Sequence, residues 1–393
     1  MAERRHVWIT GIGIVSCLGE GPEAHWQRLM DGRAAADEAR FAPYPVHPLP
    51  PIEFDKQIPK KGDQRQMEPW QRIGTYAAGL ALDSAGLKGN ADLLARTDLL
   101  VAAGGGERDC AADSAILAGL RGAADREAFL NERLMSDLRP TLFLAQLSNL
   151  LAGNISIVHG VTGSSRTFMG EEAAGVDAVR IAAARIAAGQ SEIVLVGGAH
   201  NGERHDLLLL YAAGSCLLTG APVPVFERTG NRDGMVLGSL GAFLVLEAAD
   251  HAQKRGARPL ARLTRVASDR TSRRPGDTAA ALARLWDEVA PSLAAGHHAV
   301  ISGATGVEPA TSEERDFLAR TAVPVRATGT YMGHGVEAQF PMNIAVAALA
   351  LMHGRLYPAT GASEAGMDAA LTQVVVTGVG HWRGEGLALV EAA

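Results

Sequence analysis

The sequence predicts an α/β protein in which helices cover buried sheets in layers. Two observations lead to this prediction. Short β-branched runs that end in or next to glycine recur along the chain, and Ala-rich segments of helical character lie between them. Continuous apolar runs are typical of strands that are buried on both faces. Strands of this kind that alternate with helices are typical of layered α/β folds.

The predicted elements follow from these runs. Strands are expected at 7–16, 98–106, 192–200, 241–248, 298–306 and 373–380. Helices are expected at 72–86, 173–188, 278–295 and 342–353. The proline-rich segment 40–70 and the polar segment 267–277 are predicted to be surface loops.

Two of the predicted helices, 173–188 and 342–353, are apolar on nearly every face. A helix of this kind belongs in a core between two sheets and not on a surface. One such helix in each part of the chain suggests two similar α/β halves, although no exact sequence repeat is visible. We therefore predict an N-terminal half at 1–250, with dimer-forming and surface insertions, and a C-terminal half at 251–393.

Composition excludes several classes of protein. The 393 residues are 47% hydrophobic and carry a formal net charge of −6, which argues against a general nucleic-acid binder. The three cysteines are far apart and no HExxH motif occurs, so we expect a reducing compartment, no metal site and no cofactor. The start of the chain has no signal-peptide h-region, and no apolar run reaches the ~18 residues of a membrane span. A cytoplasmic location is expected.

Two glycine-rich segments resemble nucleotide-binding loops only superficially. In "TGIGIVS" (10–16) the third glycine of GxGxxG is replaced by Ser16, and "GGGERD" (104–109) lacks the lysine of a phosphate loop. We interpret 10–16 as a tight strand-to-loop turn. Neither segment predicts a nucleotide.

The stretch 164–201 reads as strand, turn, helix and strand, with Glu171 and Glu172 at the start of the helix. Acids in a first helical turn gain about 0.3–1 kcal/mol from the helix dipole, which explains one exposed glutamate. The dipole explains a glutamate buried beside an apolar helix less well, because burial penalises its charge. His334, which lies between two glycines before the second buried helix, is either a functional residue or an ordinary core histidine.

Three further segments carry a family resemblance. They are "RRHVWITGIGIVSCLG" (4–19), "SNLLAGNISIVHGVTGSS" (148–165) and "NRDGMVLGSLGAFLVLEAADHAQKRGA" (231–257). Over nearly its whole length the chain resembles the β-ketoacyl-acyl-carrier-protein synthases, which have the thiolase-like fold. The resemblance implies two similar α/β halves in a layered α-β-α-β-α arrangement.

The resemblance also assigns positions in the active site. The family uses a cysteine at a helix N-terminus, where a thiolate is favoured, together with two histidines and a lysine. The cysteine position falls on Glu172, the first histidine position on Ser302 and the lysine position on Gly329, whereas the second histidine is kept as His334.

The family's glycine-rich C-terminal loop corresponds to "TGVGHWRG" in this chain. Its gatekeeping phenylalanine is replaced by Val379, which lies between Gly378 and Gly380. Together with Gly329, these residues are the expected substrate-binding positions.

The missing nucleophile makes condensation by this chain alone unexpected, because a carboxylate would form a reactive anhydride and repel malonate. The pattern is similar to that of chain-length-factor subunits, which pair with an active ketosynthase in fatty acid synthesis, as in very-long-chain or aryl polyene pathways. Two alternatives stay open. Glu172 and His334 could serve a malonyl-carrier-protein decarboxylase or an unusual condensing enzyme, or Glu172 could be a polar plug, a buried side chain that fills the pocket.

The resemblance further implies an acyl carrier protein and a second ketosynthase-like subunit as partners. The strand at 164–169 is the expected contact, in a heterodimer or a homodimer. Lys60, Lys61 and Arg65 are at the position where relatives dock the carrier protein, although the neighbouring Asp63 and Glu68 weaken this basic group and favour a solvated surface turn.

Overall fold

The structure is a computed structural model that describes residues 4–33, 36–138 and 141–393. Its strands are β1 (Val7–Ser16), β2 (Gly19–Glu20), β3 (Val46–His47), β4 (Thr97–Ala102), β5 (Ser165–Phe168), β6 (Ile193–His200), β7 (Leu237–Gly238), β8 (Leu240–Ala248), β9 (Ala261–Asp269), β10 (His298–Ser302), β11 (Val325–Ala327), β12 (Gln373–Val379) and β13 (Glu385–Glu391). Its helices are α1 (Gly21–Asp31), α2 (Lys61–Gln66), α3 (Pro69–Ser84), α4 (Ala91–Arg96), α5 (Cys110–Leu120), α6 (Arg126–Asp137), α7 (Leu142–Ala145), α8 (Leu150–His159), α9 (Glu171–Ala187), α10 (His205–Ala213), α11 (Ala249–Lys254), α12 (Asp277–Asp287), α13 (Ala310–Thr321), α14 (Gly329–Met332) and α15 (Gln339–Met352).

The main sheet is built from the same five-stranded unit twice. The order is β5-β4-β6-β8-β1 in the first half and β11-β10-β12-β13-β9 in the second. In both units the first three strands pair in parallel. The fourth strand pairs antiparallel with the third, and the fifth pairs antiparallel with the fourth. The halves join where β1 and β9 pair over two residues only. This repeated topology confirms the expectation of two similar α/β halves, which sequence identity did not reveal.

Helices α9 and α15 form the central layer. Helix α9 packs against β4 and β6 of one half and β9 and β13 of the other, and α15 likewise contacts β8 and β12. Helix α3 covers the outer face of the first half, and α12 and α13 cover that of the second. The arrangement is the expected α-β-α-β-α layering, with the largest hydrophobic cluster between the two five-stranded units.

The six predicted strands and both central helices are present. The expected loop at 267–277 is wrong in its first residues, because β9 extends to Asp269. Strand β9 escaped prediction because buried positions are interrupted by exposed ones along its length, so it lacks a continuous apolar run. The predicted boundary between residues 250 and 251 falls in α11, which links the halves, and stays a prediction.

The interpretation of "TGIGIVS" as a strand-to-loop turn is also wrong, since the whole segment lies inside β1. Its glycines serve close packing against α3. A Cβ at Gly13 would lie 2.0 Å from the carbonyl oxygen of Ala77, and one at Gly11 would lie 2.4 Å from that of Ala81. The first half therefore needs glycine at these points of its strand so that the outer helix can approach.

Candidate functional site

The turn between β5 and α9 has the geometry of a sharp elbow. Gly170 has a φ of 133° and Glu171, the first residue of α9, has a φ of 51°, which is left-handed for a residue with a side chain. Such a backbone costs of order 1–3 kcal/mol and persists where the surrounding structure fixes it. Glu171 also lies 3.5 Å from the guanidinium of Arg383. The helix dipole alone is thus an incomplete account of Glu171.

The next residue, Glu172, points into the protein and meets two histidines. The Nε2 of His334 lies 2.8 Å from Oε1 of Glu172. The Nδ1 of His381 lies 3.0 Å from Oε1 and 3.2 Å from Oε2, and the backbone N–H of His381 donates to Oε1 at 3.3 Å. The three side chains are 4%, 2% and 9% exposed, respectively. They form a buried, hydrogen-bonded carboxylate–imidazole cluster.

The cluster is charged. Burial by itself would raise the pKa of Glu172, but the charge of His381 and the hydrogen bonds from both histidines hold that pKa well below 4.5. Burial by itself would lower the pKa of His381, but the charge of Glu172 and its hydrogen bond raise it above 6.5. An ionised carboxylate can only accept hydrogen bonds, so both imidazoles present an N–H to it.

His334 is fixed by its backbone. Its N–H donates to the carbonyl of Val236 at 2.8 Å, and its carbonyl accepts from the N–H of Gly238 at 3.0 Å. The flanking glycines permit this approach, because a Cβ at Gly333 would lie 2.9 Å from the nitrogen of Gly238 and one at Gly335 would lie 2.5 Å from Leu240. At Gly333 the close contact is with the main chain of Gly238, whereas at Gly335 it is with the side chain of Leu240.

His381 belongs to the loop between β12 and β13, which Arg273 holds in place. The Arg273 guanidinium donates to the carbonyls of Gly380 and Gly384 at 2.6 and 3.1 Å, and it pairs with Glu385 at 2.5 Å. The ring of Tyr211 packs edge-on against the imidazole of His381 at a centroid distance of 5.4 Å. The loop is thus anchored on one side by a cation and on the other by an aromatic ring.

The structure does not bring Ser302 into this cluster. Its hydroxyl donates to Oε1 of Glu314 at 2.8 Å, and Thr377 donates to the same oxygen at 2.5 Å. The other oxygen of Glu314 is buried and, among the described residues, has no hydrogen-bond partner. Burial raises the pKa of Glu314. Ser302 therefore belongs to a second buried polar group with its own carboxyl.

The expected substrate-binding residues separate as well. Gly380 lies beside Glu172, since a Cβ there would be 3.1 Å from Oε2, and Gly378 lies against Val176 of α9. Val379 instead packs in the outer hydrophobic cluster of the second half. Gly329 begins α14, where a Cβ would meet Val225 at 3.1 Å. Of these four expected residues, only Gly380 lies beside Glu172, because Gly378 is in β12 and packs against Phe340 and Val176.

The basic group expected to dock a carrier protein lies on and next to α2. Lys60, Lys61 and Arg65 are all exposed. The ammonium of Lys61 is already paired with Asp55 at 2.5 Å. Asp63 lies on the same helix, and the role of this group stays a prediction.

The cysteines lie outside the elbow. Cys17 approaches His47 with 3.6 Å between Sγ and Nδ1, but burial raises the pKa of its thiol to about 12. Burial, followed by the charge of Glu172, also raises the pKa of Cys216. Neither of these two thiols has the lowered pKa that marks a nucleophilic cysteine.

Among the described residues, Glu172 has two histidine partners, His334 and His381. The sequence predicted only His334 as a site residue. His381 was missed, although the loop that contains it and its glycines were singled out. Its position directly after Gly-Val-Gly, in a loop assigned to the active site, was the available signal. Arg273 was also missed, because it lies in a segment predicted to be a polar loop.

The described residues were considered for a metal centre and for a membrane span. Within residues 4–33, 36–138 and 141–393, no group of three or more His, Cys, Asp or Glu side chains is arranged to hold a metal ion. None of the helices in that part of the chain is long and apolar enough to cross a membrane.

A mixed five-stranded unit present twice, with a polar site where the first central helix begins, defines a protein of the thiolase-like class. The family profile described as "Beta-ketoacyl synthase, N-terminal domain" matches residues 4–252. The chain belongs to the β-ketoacyl synthase family.

Known relatives support this membership. The chain is 30% identical over 275 residues to a 3-oxoacyl-(acyl-carrier-protein) synthase 2 of Rhizobium meliloti, an alignment that covers 65% of this chain and 62% of that protein. It is 29% identical over 390 residues to the tetracenomycin polyketide synthase ketoacyl synthase beta subunit of Streptomyces glaucescens. That alignment covers 93% of this chain and 91% of the beta subunit. Among solved structures, the ishigamide ketosynthase/chain length factor superposes with a TM-score of 0.80 at 21% identity, over 99% of this chain and 100% of that one.

Proposed function

We propose that this chain is a non-condensing, ketosynthase-like subunit that works with an active β-ketoacyl synthase to build acyl chains on an acyl carrier protein. One observation carries the proposal. At the position where the family's nucleophile is expected, Glu172 is buried and receives hydrogen bonds from His334 and His381. A carboxylate held in this way is not free to attack a thioester. Because it has no sulfur, it also cannot hold an acyl chain as a thioester.

The relatives agree with a subunit role. Two alignments that span almost all of this chain are to polyketide synthase proteins, one to a beta subunit over 93% of the chain and one to a "putative beta-ketoacyl synthase 1" of Streptomyces rimosus over 95%. A protein named as a ketosynthase/chain length factor shares the fold. These likenesses favour a partner in a two-subunit synthase, of fatty acids or of related polyketide chains.

The free edge of β5 is the proposed contact with the partner. The carbonyls of Ser164 and Phe168 accept from β4, so the alternating N–H and C=O groups of Ser165 and Thr167 face away from the sheet. An unpaired edge is a template for a second strand. Two large apolar side chains close to this edge, Ile157 and Met169, are 73% and 67% exposed, which suits burial by a partner.

The geometry favours the plug over the two enzymatic alternatives. A nucleophile or general base needs a free oxygen directed at the substrate, whereas both oxygens of Glu172 accept hydrogen bonds from histidine. Release of carbon dioxide from malonyl-carrier protein by this chain alone, abolished in Glu172→Ala and kept in Glu171→Ala, would reinstate the decarboxylase.

Reconstitution tests the proposal. The chain is co-expressed with an active β-ketoacyl synthase from the same organism, and elongation is measured with acyl- and malonyl-carrier protein for each subunit alone and for the pair. We expect a complex with both subunits, elongation by the pair and none by this chain alone. Elongation by this chain alone, or a self-sufficient homodimer that ignores the ketosynthase, would overturn the proposal.

A further inference from the structure

Three N–H groups converge on one carboxylate at the start of α9. They come from two separate parts of the second half of the chain, the segment after α14 and the loop after β12. Both segments are far from Glu172 in sequence. Contacts other than those with Glu172 hold them in place. Val236 and Gly238 hold the backbone of His334, and Arg273 holds the loop of His381.

We propose that His334 and His381 form a carboxylate-binding cradle whose built-in ligand is Glu172, and that shortening Glu172 opens the cradle to a small carboxylate from solution. This inference rests on the proposed function, in which Glu172 is a plug, and it names the chemistry of the site that the plug closes. It is tested on this chain alone, so that its failure is distinguishable from a failure of the reconstitution.

The size of the ligand follows from the atoms that would be removed. Substituting alanine for glutamate leaves Cβ in place and removes Cγ, Cδ and both oxygens, which are the heavy atoms of acetate. Gly380 closes one wall of this space, because a Cβ there would be only 3.1 Å from Oε2 of Glu172. Formate and acetate therefore fit the opened cradle, whereas a branched or aromatic acid does not.

Charge and burial select a carboxylate over a neutral molecule. The three donors are buried, so an unfilled cradle would leave N–H groups without partners, at a cost that a carboxylate ligand removes. Acetamide has the same shape but carries no charge, and it presents an NH₂ group where an oxygen is needed. It is therefore the matched ligand control.

A cavity borders the first turns of α9, the helix that carries Glu172. This cavity of about 300 Å³ is lined by the end of β5, by the first turns of α9 and by Arg383. Ala173, the residue after Glu172, is among its lining residues. Arg383 lies in the loop that carries His381, and the cavity lining also includes Arg270, Asp177, Asp269 and Glu385.

Binding should weaken at high pH. The titratable or charged groups that act on His381 are Glu172, Glu171 and Arg273, with the phenol of Tyr211 against its ring. Bound acetate takes the place of the Glu172 charge, whereas Glu171 and Arg273 oppose each other. Because the cradle is most attractive when His381 is protonated, acetate affinity should fall as the pH rises from about 6 to 9.

The experiment compares Glu172→Ala with Glu171→Ala, the same change one residue away that leaves the cradle filled. Thermal unfolding and saturation-transfer NMR are measured with 100 mM sodium acetate, acetamide or sodium chloride. We expect acetate to raise the Tm of Glu172→Ala by about 1–3 °C over chloride, with transfer to acetate, and to leave Glu171→Ala unchanged. Equal effects of acetate and acetamide, or equal effects in the two variants, would overturn the proposal.

Glu172→Gln covers the case in which the alanine variant does not fold, because glutamine keeps the shape and removes the charge. If the cradle binds a carboxylate, NMR titration should place the pKa of His381 below its wild-type value, because the Glu172 charge that raises this pKa is removed. An unchanged pKa in Glu172→Gln would contradict the cradle, since His381 would then not sense the Glu172 charge.

Discussion

The Nδ1 of His381 lies 3.0 Å from Oε1 of Glu172, across 209 positions of sequence, and the pair is buried where the first central helix begins. Each partner shifts the other: the pKa of Glu172 is lowered and that of His381 is raised. The start of α9, where the proposed function places the family's nucleophile, carries one half of an ion pair.

The ion pair predicts a specific pH dependence of stability. Because the folded-state pKa of His381 is raised, its charged form stabilises the fold fully below pH 6.5. This stabilisation is lost as the pH rises through the folded-state pKa of His381. Because the folded-state pKa of Glu172 is lowered, its charged form stabilises the fold above pH 4.5. This stabilisation is lost only when the pH falls through the lower folded-state pKa. The pair should therefore contribute most between pH 4.5 and 6.5.

His381→Gln tests this dependence. We expect the variant to lose about 1–3 kcal/mol near pH 6, because a charged hydrogen bond is removed, and to lose less at pH 9. Urea unfolding at pH 6, 7.5 and 9 measures the difference, with Glu171→Gln as the control for a change in the same site. A loss that does not vary with pH would count against an imidazolium at this position.

The second buried carboxyl, Glu314, should behave in the opposite way. Its raised pKa means that the folded protein holds a proton which the unfolded chain releases, so stability falls as the pH rises above 4.5. Glu314→Gln removes this dependence and keeps an acceptor for Ser302 and Thr377. We expect the variant to equal or exceed the wild type at pH 8, with the advantage shrinking towards pH 4.5.

Urea unfolding of Glu314→Gln and Glu313→Gln provides the comparison. Glu313 accepts from the N–H groups of Gly276 and Ala279, at 2.7 and 3.0 Å, as a charged acceptor near the start of α12. Its substitution should reduce stability at pH 8 or leave it unchanged. A marked loss in Glu314→Gln at pH 8 would contradict a raised pKa of Glu314.

Gly13→Ala should destabilise the first half. The new Cβ would lie 2.0 Å from the carbonyl oxygen of Ala77 in α3, so strand and helix must separate. Overpacking of this kind costs about 1–3 kcal/mol or more. Gly105→Ala, where a Cβ meets nothing within 4 Å, is the control. Equal urea midpoints for the two variants would disprove the close approach.

Thr167→Pro should weaken association with the partner ketosynthase. Proline removes an N–H that faces the free edge of β5 and leaves the pairing with β4 in place. We expect at least about tenfold weaker association, as one edge hydrogen bond is lost and the ring obstructs pairing. Thr167→Ala keeps the N–H and should associate like the wild type. Light scattering of the co-purified complexes measures both, and undiminished association of Thr167→Pro would exclude β5 as the contact.

Much of the fold was predictable because its strands are buried on both faces. Runs such as 192–200 and 373–380 are continuously apolar, and the central helices are apolar all round, so their placement follows from burial alone. Strand β9 was not predictable in this way because exposed residues interrupt its buried ones. The glycines of β1 misled for a similar reason, since they record contact with a helix some 65 residues away and not a local turn.

The site was predictable only in part. The family pattern and its position at a helix start singled out Glu172, and the two glycines singled out His334. The approach of His381 depends on how the loop after β12 folds onto α9, which no local pattern encodes. Ser302 was assigned from its place at the end of β10, but its hydroxyl is directed to Glu314 instead.

The most direct test of the central claim is whether an acyl group ever resides on this chain. The purified complex with its ketosynthase is incubated with acyl-carrier protein, and the intact masses of both subunits are measured. The account predicts that the acyl mass appears on the ketosynthase and that this chain stays unmodified. An acyl adduct on this chain that disappears in Glu172→Gln but persists in Glu171→Gln would contradict it.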